Sequence, residues 1–261
     1  MNKQKLIMAC LFVITLAACK KDKSPEDTSN TNKTCTLSSY TNEAFGDLKT
    51  FQIEYAANGS ISKLKSDFSI NFNRIGDSCI ISYMGLFRLG YIVYDQLNRP
   101  IEYCTKDVDD PESFSRVIYQ YTGAAALPKQ ITVTSLIDSN TNDYTMKNMV
   151  YTGENLVSCD FVIEEDGIEQ VYALNYEYNL SKKNTAINLY KQLIPLDYNA
   201  AGPFNITRYV SKNVPIKLVI PSNGFIGTFS YKWDQWGNML EQAAIIDGDT
   251  IDSESYTYLC K

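Results

Sequence analysis

A cluster of acidic side chains is the pattern in this chain that most resembles a metal-binding site. Four of them fall within six residues of the segment DVDDPESF, namely Asp107, Asp109, Asp110 and Glu112. Alternating carboxylates could bind Ca²⁺, which takes six to eight oxygen ligands, but the segment lacks the glycine and the closing glutamate of an EF-hand loop. We therefore predict a solvated acidic turn here, a second one at the hairpin tip 164–166, and no metal site.

Two tryptophans are the predicted ligand-binding side chains. Trp233 and Trp236 could stack on sugar rings, since an indole presents a large apolar face. Trp236 lies in a predicted turn and should be exposed, whereas Trp233 takes the aromatic position of a repeated motif and should pack in the core. Trp236 is therefore the better ligand candidate, and a simple packing role in its loop is the alternative.

The composition excludes several classes of function. The chain has 261 residues, no histidine, a net charge of −6 and a pI near 4.8. The missing histidine removes the commonest metal ligand and general base, and no nucleotide-binding or serine-hydrolase motif is present. An acidic chain also argues against a nucleic-acid partner. We predict no cofactor and no catalytic residue. The alternative is an enzyme that uses two of the 30 acids on polysaccharide or peptidoglycan.

Seven cysteines place the chain in an envelope compartment but do not fix a disulfide pattern. Cys10 and Cys19 belong to the N-terminal segment, which leaves Cys35, Cys79, Cys104, Cys159 and Cys260. Five is an odd number, so at least one thiol stays unpaired, and about fifteen two-bridge patterns remain open. A bridge between Cys35 and Cys260 would clip the ends of the domain together. No Cys-x-x-Cys pair is present, so a zinc site or a thioredoxin-like motif is not predicted.

The N-terminus has the pattern of an export signal. Lys3 and Lys5 precede the apolar run from Leu6 to Ala18, which is too short to span a bilayer. The run ends in Leu16-Ala17-Ala18-Cys19, which resembles a bacterial lipobox. The resemblance implies that residues 1–18 are a cleaved signal peptide and that Cys19 carries acyl chains, such as palmitate, which anchor the protein in a membrane. A plain secretory signal with an incidental cysteine is the alternative.

A polar tether and one folded domain are predicted to follow the signal. Residues 19–36 contain the sequence KKDKSPEDTSNTNKT, which has no apolar periodicity and is typical of a disordered tether. Residues 37–261 form a single predicted β-meander domain, because Asn58-Gly59, Asp166-Gly167, Asn223-Gly224 and Gly248-Asp249 punctuate short alternating segments. Such short links join antiparallel strands. About 14–18 strands are expected, and a sheet that long curls into an open or closed barrel.

Within this meander one face should be packed and the other exposed to water. Tyr172, Leu174, Tyr176 and Tyr178 fall on one face of a single segment. The exception to the strand pattern is a segment near 183–195, where four apolar residues have helical spacing and Pro195 follows. We predict a short helix there, or a structured loop, that plugs one end of the curled sheet.

Three stretches share one frame: YDQLNRPIEY (94–103), YVSKNVPIKL (209–218) and WDQWGNMLEQ (233–242). We predict tight turns between antiparallel strands at 96–99, 211–214 and 235–238. In the first stretch Asp95 should accept hydrogen bonds from the turn backbone. The fifth position, Asn98, Asn213 or Gly237, should tolerate a left-handed backbone. Pro100 and Pro215 should lie at the first residue of a strand or at an edge.

The order of these motifs carries a family resemblance over about residues 50–260. Tyr176-x-Tyr178-Asn179, Ser211-x-Asn213-x-Pro215-x-Lys217 and Tyr231-x-Trp233-Asp234-x-x-Gly237 look like Bacteroides-type lipoproteins that carry a domain of unknown function with a porin-like β fold. The degenerate units are also similar to the YD repeats of Rhs-type proteins. The chain departs from the pattern at Asn179, which replaces the usual acid. The resemblance implies a fold and an envelope location, and it implies no catalytic residues.

The expected function is that of a lipid-anchored outer-membrane protein, non-enzymatic, with a binding or scaffolding role. Its candidate partners are a glycan or an envelope protein, bound in the concavity of the sheet. Lys20, Lys21 and Asp22 match a surface-export signal in part, so the periplasmic face and the cell surface both remain open. A membrane-spanning barrel is not expected, because charges interrupt the outer face at Lys63, Lys65, Glu102, Lys106 and Glu177.

Overall fold

Sixteen strands and one short helix make up the described part of the chain. The computed structural model describes residues 34–44, 47–84, 88–107, 112–137, 140–165, 168–187, 203 and 205–260. The strands are β1 (Cys35–Ala44), β2 (Asp47–Tyr55), β3 (Ile61–Lys65), β4 (Ser69–Ile75), β5 (Ser78–Met84), β6 (Arg88–Tyr94), β7 (Pro100–Asp107), β8 (Phe114–Gln120), β9 (Gln130–Ile137), β10 (Asn140–Thr152), β11 (Asn155–Glu165), β12 (Ile168–Lys183), β13 (Asn213–Ile220), β14 (Phe225–Trp233), β15 (Met239–Ile246) and β16 (Asp249–Cys260). Helix α1 (Ile206–Val210) lies between β12 and β13. The chain divides into two compact units, Met1–Thr34 and Cys35–Lys261, and all these elements belong to the second.

The strands form one closed antiparallel barrel. Each strand pairs with its neighbours in sequence, and β1 pairs with β16, so the meander closes on itself. The predicted all-β fold class is confirmed, and sixteen strands lie within the predicted 14–18. Closure leaves no free strand edge along the wall, and a free edge would invite pairing with another chain.

A disulfide fastens the seam where the barrel closes. Cys35 and Cys260 are cross-strand partners in the β1–β16 pair, and their sulfurs are bonded across a sequence separation of 225 residues. The predicted clip between the ends of the domain is therefore present. A bridge over so long a loop restricts the unfolded chain and contributes on the order of 2–5 kcal/mol. Cys79, Cys104 and Cys159 are buried free thiols.

The barrel has two ends, which we call the terminal rim and the distal rim. The terminal rim holds Cys35, Cys260 and the connections that follow even-numbered strands: 55–61, 75–78, 94–100, 120–130, 152–155, the two ends of the β12–β13 connection (180–184 and 212–213) and 233–239. The distal rim holds the connections that follow odd-numbered strands: 44–47, 65–69, 84–88, 107–114, 137–140, 165–168, 220–225 and 246–249.

Tight turns occur where the sequence places Asn-Gly and Asp-Gly pairs. Gly59 and Gly224 have φ angles of +80° and +72°, which glycine adopts at no steric cost. Between β15 and β16 the turn residues are Asp247 and Gly248, with φ of +52° and +94°. The predicted pair Gly248-Asp249 is therefore wrong by one residue, because Asp249 already pairs with Ile246 in the ladder. The predicted turn at 166–167 lies outside the described residues.

Alternation along the strands fills the barrel interior. On β12, Leu174 and Tyr176 are buried, Tyr172 and Tyr178 pack against the core, and Glu177 is exposed on the outer face. The predicted division into a packed face and a wetted face is confirmed. Inward residues of the other strands extend one core around the barrel, among them Phe51, Leu64, Ile81, Ile131, Met146 and Leu218. The described wall therefore encloses side chains.

The connection between β12 and β13 enters this interior. All five residues of α1 are buried. The helix contacts β11 and β13, and its Arg208 reaches Asp252 of β16, five strands away from β11 around the barrel. The prediction of one short helical plug in this connection is confirmed, but the described helix begins at Ile206. Lys183 of the predicted segment 183–195 still belongs to β12, and residues 188–195 lie outside the described ranges.

Tyrosines tie neighbouring strands together at the terminal rim. Near the end of an even-numbered strand, a tyrosine hydroxyl donates to a backbone carbonyl near the start of the preceding strand. The pairs are Tyr55 to Leu37 (2.7 Å), Tyr121 to Pro100 (2.9 Å), Tyr151 to Pro128 (2.8 Å), Tyr178 to Leu156 (2.6 Å) and Tyr231 to Pro215 (2.7 Å). Each ring packs at the wall while its hydroxyl satisfies a carbonyl, so this recurring contact gives many of the 19 tyrosines a structural role.

Candidate functional site

The two candidate tryptophans do not form a shared platform. Trp233, the last residue of β14, packs against the core, and its ring lies 5.0 Å from the Lys182 ammonium and 6.0 Å from the Tyr231 ring. Trp236 lies in the next turn with 46% of its surface exposed. Both placements agree with the expectation from sequence. A ligand role for Trp236 or Trp233 stays a prediction.

The turns at 95–99 and 234–238 have the same hydrogen-bond pattern. Asp95 Oδ1 accepts from the backbone N–H groups of Leu97 and Arg99, each at 2.9 Å. Asp234 Oδ1 accepts from the N–H groups of Trp236 and Asn238, each at 2.8 Å. The predicted turns at 96–99 and 235–238 and the role of Asp95 are confirmed.

The fifth residue of the stretches 94–103 and 233–242 has the predicted left-handed backbone. Asn98 has φ of +61° and Gly237 has φ of +83°. Pro100 begins β7, as predicted, so its missing N–H costs no ladder bond inside a strand. The carboxylate and the left-handed residue therefore hold the fourth residue of each stretch, Leu97 or Trp236, at the tip of its turn.

The stretch 209–218 folds differently from the other two, and its predicted turn at 211–214 is wrong. Residues 206–210 are helical and Asn213 begins β13, so 211–214 joins a helix to a strand instead of two strands. The second position is Val210, which has no carboxylate to accept the turn N–H groups. Pro215 is the third residue of β13 and faces a bulge, since Glu177 pairs with Lys217 while Tyr178 pairs with Pro215.

Asn213 is a buried clamp between three segments. Its Nδ2 donates to the carbonyls of Leu180 (3.1 Å) and Lys182 (3.0 Å). Its Oδ1 accepts from Asn155 Nδ2 at 3.0 Å, and its own N–H donates to Asn155 Oδ1 at 2.8 Å. Nearby, Ser211 Oγ accepts from the N–H of Leu156 at 3.1 Å. These bonds fix the plug segment to the start of β11.

A second polar network holds the plug against β16. Arg208 Nη2 lies 2.8 Å from Asp252 Oδ2, and Arg208 Nη1 lies 3.3 Å from Glu254 Oε1. Glu254 Oε2 also accepts from Gln242 Nε2 at 2.5 Å and from the Tyr256 hydroxyl. Two carboxylates converge here, but both form ion pairs with the buried guanidinium of Arg208. Sequence reasoning did not find Arg208; its only local signal is one charge inside the apolar run from Ile206 to Val210.

A groove of about 480 Å³ crosses the outer face of β14, β15 and β16. Small polar side chains line much of it, including Ser230, Ser253, Ser255 and Thr41. The Lys232–Glu241 ion pair, at 2.5 Å, lies along the same surface. The groove combines hydroxyl groups and charges with apolar surface, including that of Tyr231 and Ala243.

The remaining candidates carry no reactive group. Burial raises the pKa of the Cys159 thiol to about 12 and raises the pKa values of Cys79 and Cys104 as well, so all three stay protonated at neutral pH. Within the described ranges no group of three or more His, Cys, Asp or Glu residues could hold a metal ion. The lipidation candidate Cys19, and Asp109 and Asp110 of the predicted acidic turn, lie outside the described residues.

Two solved structures share this fold. A porin-like protein from Bacteroides uniformis is 11% identical, with a TM-score of 0.52, and the match covers 85% of this chain and 98% of that chain. A porin-like protein from Bacteroides vulgatus is 13% identical, with a TM-score of 0.55 and the same coverage. No family model and no curated protein matches the sequence.

The chain therefore has a porin-like β-barrel fold. This part of the sequence resemblance is confirmed, whereas the lipoprotein class and the YD repeats stay predictions. At such low identity the likeness establishes the fold alone. In the described ranges no helix is long and apolar enough to cross a membrane.

Proposed function

We propose that this protein is a lipid-anchored protein of the bacterial outer membrane with a binding or scaffolding role. The observation that carries the proposal is the charged outer wall of the barrel. Arg116 of β8 pairs with Glu102 of β7 at 2.9 Å, and Lys217 of β13 pairs with Glu177 of β12 at 3.2 Å. These pairs lie in the middle part of the wall, where a lipid-facing Arg or Lys would cost about 2–4 kcal/mol.

A barrel with such a wall needs another means of staying at a membrane. The sequence supplies one in Leu16-Ala17-Ala18-Cys19, followed by a polar segment before β1. Acyl chains on Cys19 would contribute about 0.8 kcal/mol per buried CH₂ group, so two or more chains hold a protein stably. The membrane attachment and the folded barrel are thus separate parts of the chain.

The packed interior moves the binding role to the outer surface. The concavity proposed from sequence is filled by inward side chains such as Leu64, Ile131 and Leu218, each with no exposed surface. The outer groove beside Ser253 and the exposed ring of Trp236 are the surfaces that support binding of a glycan or an envelope protein. Catalysis by paired carboxylates has less support, because Asp252 and Glu254 converge on Arg208.

Acylation can be tested with the full chain in a bacterium that matures lipoproteins. We expect incorporation of labelled palmitate and recovery in the membrane fraction, both lost in Cys19→Ala. Cys10→Ala is the matched control, since it removes a thiol from the same N-terminal segment and should change neither result. Equal labelling of the Cys19→Ala chain would overturn the anchor.

A cleavable site tests whether the barrel itself spans the bilayer. A specific protease site is placed in the segment 20–33 of the acylated protein. We expect cleavage followed by dilution to release a folded barrel that remains in solution without detergent. Retention of the cleaved barrel in the membrane pellet after washing would show that its wall faces lipid.

The binding role can be tested on a glycan array and in pull-downs from envelope extract. Ala243→Tyr places a ring in the outer groove, and Trp236→Ala removes the exposed indole. One of these variants should abolish the binding that the unchanged protein shows. Thr134→Tyr adds the same ring to the outer face of β9, away from the groove, and should have no effect. Absence of binding in both assays by the unchanged protein would leave only the scaffolding role.

A further inference from the structure

Large apolar side chains project from the terminal rim around most of its circumference. Among the described residues of this rim, six such side chains have exposed surface fractions of 38–75%: Tyr55, Ile75, Leu97, Leu180, Trp236 and Leu259. They belong to the ends or turns of β2, β4, β6, β12, β14 and β16. Single exposed apolar residues are ordinary, but a set gathered at one end of a barrel marks an interaction surface.

Two of these side chains are held outward by the turns themselves. Leu97 and Trp236 occupy the same position of the two Asp-centred turns, and the Asp95 and Asp234 carboxylates bond their backbone N–H groups. Polar residues are the usual choice in exposed turns, so a leucine and a tryptophan at the two tips depart from the common turn composition. The Leu97 and Trp236 side chains lie at matching, fixed positions, which suits a partner surface that can bury apolar side chains.

The two rims differ strongly in charge. In the described ranges, the distal connections with their flanking strand residues hold seven acids by sequence, Asp47, Asp67, Asp107, Glu112, Glu165, Asp247 and Asp249, and two bases, Lys65 and Arg88. In the same described ranges the terminal rim holds four acids, Asp77, Asp95, Glu154 and Asp234, and five bases, Arg99, Lys129, Lys182, Lys183 and Lys212. An anionic lipid surface therefore repels the distal rim and tolerates the terminal rim.

The proposed anchor also reaches the terminal rim. Strand β1 begins there, at Cys35, sixteen positions after Cys19. Sixteen residues span at most about 55 Å when fully extended, and a shorter distance otherwise. Acyl chains at Cys19 would therefore keep this end of the barrel within reach of the bilayer to which they are attached.

We propose that the terminal rim docks on the lipid headgroup layer, with the Leu97 and Trp236 tips inserted and the acidic distal rim facing away. This proposal rests on the proposed lipid anchoring and adds an orientation to it. Tryptophan suits such a position, because its amphipathic ring settles at the boundary between headgroups and acyl chains. The anchor supplies proximity, and the rim supplies orientation.

Tryptophan fluorescence can test the orientation, because the chain has only two tryptophans. A chain that begins at Cys19 is coupled through this thiol to maleimide lipid in phosphatidylethanolamine–phosphatidylglycerol vesicles, with and without brominated acyl chains. The other cysteines are bonded to each other or buried, so coupling at Cys19 is selective. Coupling replaces cellular acylation, so failure of acylation in cells and failure of docking are observed separately.

Docking predicts quenching of Trp236 by the brominated lipid and a shift of its emission to shorter wavelength. The Trp233→Phe chain, which retains Trp236, should show both changes, and the Trp236→Phe chain should show neither. Leu97→Ser together with Ile75→Ser should lower the ratio of docked to undocked barrel roughly tenfold, as expected when large apolar side chains no longer leave water.

The matched control changes two exposed apolar residues of the distal rim, Leu48→Ser and Ile168→Ser, whose exposed fractions are 74% and 60%. This chain should be quenched like the unchanged protein. Equal quenching of the rim and control variants, or no quenching of Trp236 in the coupled chain, would overturn the proposal. If the rim instead binds an envelope protein, Trp236 would be quenched only after envelope extract is added. This result would also overturn direct docking of the rim on lipid.

Discussion

The turn at Asp95–Arg99 and the segment Val210–Val214 occupy equal places in two stretches with the same aromatic, asparagine and proline spacing. The first reverses the chain between β6 and β7, whereas the second leads from helix α1 into β13. Their asparagines differ accordingly. Asn98 has a left-handed backbone, with φ of +61°, and Asn213 is a buried strand residue whose amide clamps neighbouring segments.

The difference follows from the residue at the second position. Asp95 bonds two N–H groups of its turn, and Asp234 does the same in the 233–242 stretch. Val210 has no acceptor, so nothing local favours a turn after it. Tertiary contacts decide the conformation there, and the asparagine is used for long-range bonds.

The largest expected effect is loss of the Asn213 amide. Asn213→Ala should lower the free energy of unfolding by about 3 kcal/mol, because the carbonyls of Leu180 and Lys182 and the buried Asn155 amide lose their partner. Asn98→Ala should cost about 1 kcal/mol, the penalty of a left-handed backbone at alanine. Urea unfolding measures both, and equal costs would remove the distinction between the two asparagines.

Removing the turn carboxylate should have a smaller effect. Asp234→Val gives the 233–242 stretch the second-position residue of the 209–218 stretch. We expect a loss of about 1 kcal/mol in the free energy of unfolding, since the N–H groups of Trp236 and Asn238 then bond to water. Lys232→Val, two residues away on the outer face, is the matched control and should lie within about 0.5 kcal/mol of the unchanged protein. An unaffected Asp234→Val chain would show that the carboxylate does not set the turn.

The fifth position of the stretches 94–103 and 233–242 should tolerate glycine but not alanine. Gly237→Ala should destabilise the protein by about 1 kcal/mol, because φ of +83° strains any side chain. Asn98→Gly should change stability by less than about 0.5 kcal/mol, since glycine suits the same backbone. Thermal unfolding in parallel scans checks the pair, and a stabilising Gly237→Ala would contradict the left-handed turn.

The smallest effect is a pH dependence confined to the two aspartate turns. The Arg99 side chain and the turn N–H groups lower the pKa of Asp95. Burial by itself would raise the pKa of Asp234, but the hydrogen bonds from Asn238 and from the turn backbone outweigh it and lower this pKa as well. A depressed folded pKa means that the stabilisation is full above the unfolded value, near 3.9, and is lost as the pH falls through the folded pKa. Carboxyl NMR titration should place both midpoints below 3.8. Asp234→Asn should flatten the acid limb of the stability curve, and a midpoint above 4 would contradict the hydrogen-bond pattern.

Much of the fold follows from local sequence patterns. Alternation predicts the inward row of β12 from Tyr172 to Tyr178, and the Asp-centred motif predicts the turns at 96–99 and 235–238. The terminal positions of Cys35 and Cys260 suggest their bridge, but the sequence alone leaves other pairings of the five cysteines open. The candidate site was less predictable. Trp236 is exposed as expected, but Arg208 meets Asp252 across 44 residues, and no local pattern encodes that contact.

The sequence by itself determined an antiparallel meander, a tight turn wherever an aspartate or a glycine could support one, and the absence of histidine chemistry. These properties depend on side chains close in sequence and on their period along a strand. Only the tertiary structure decided that sixteen strands close, that α1 is buried within the barrel, and that six described apolar tips gather at one rim. Closure brings together residues from every strand, and the energy of such contacts depends on the whole barrel.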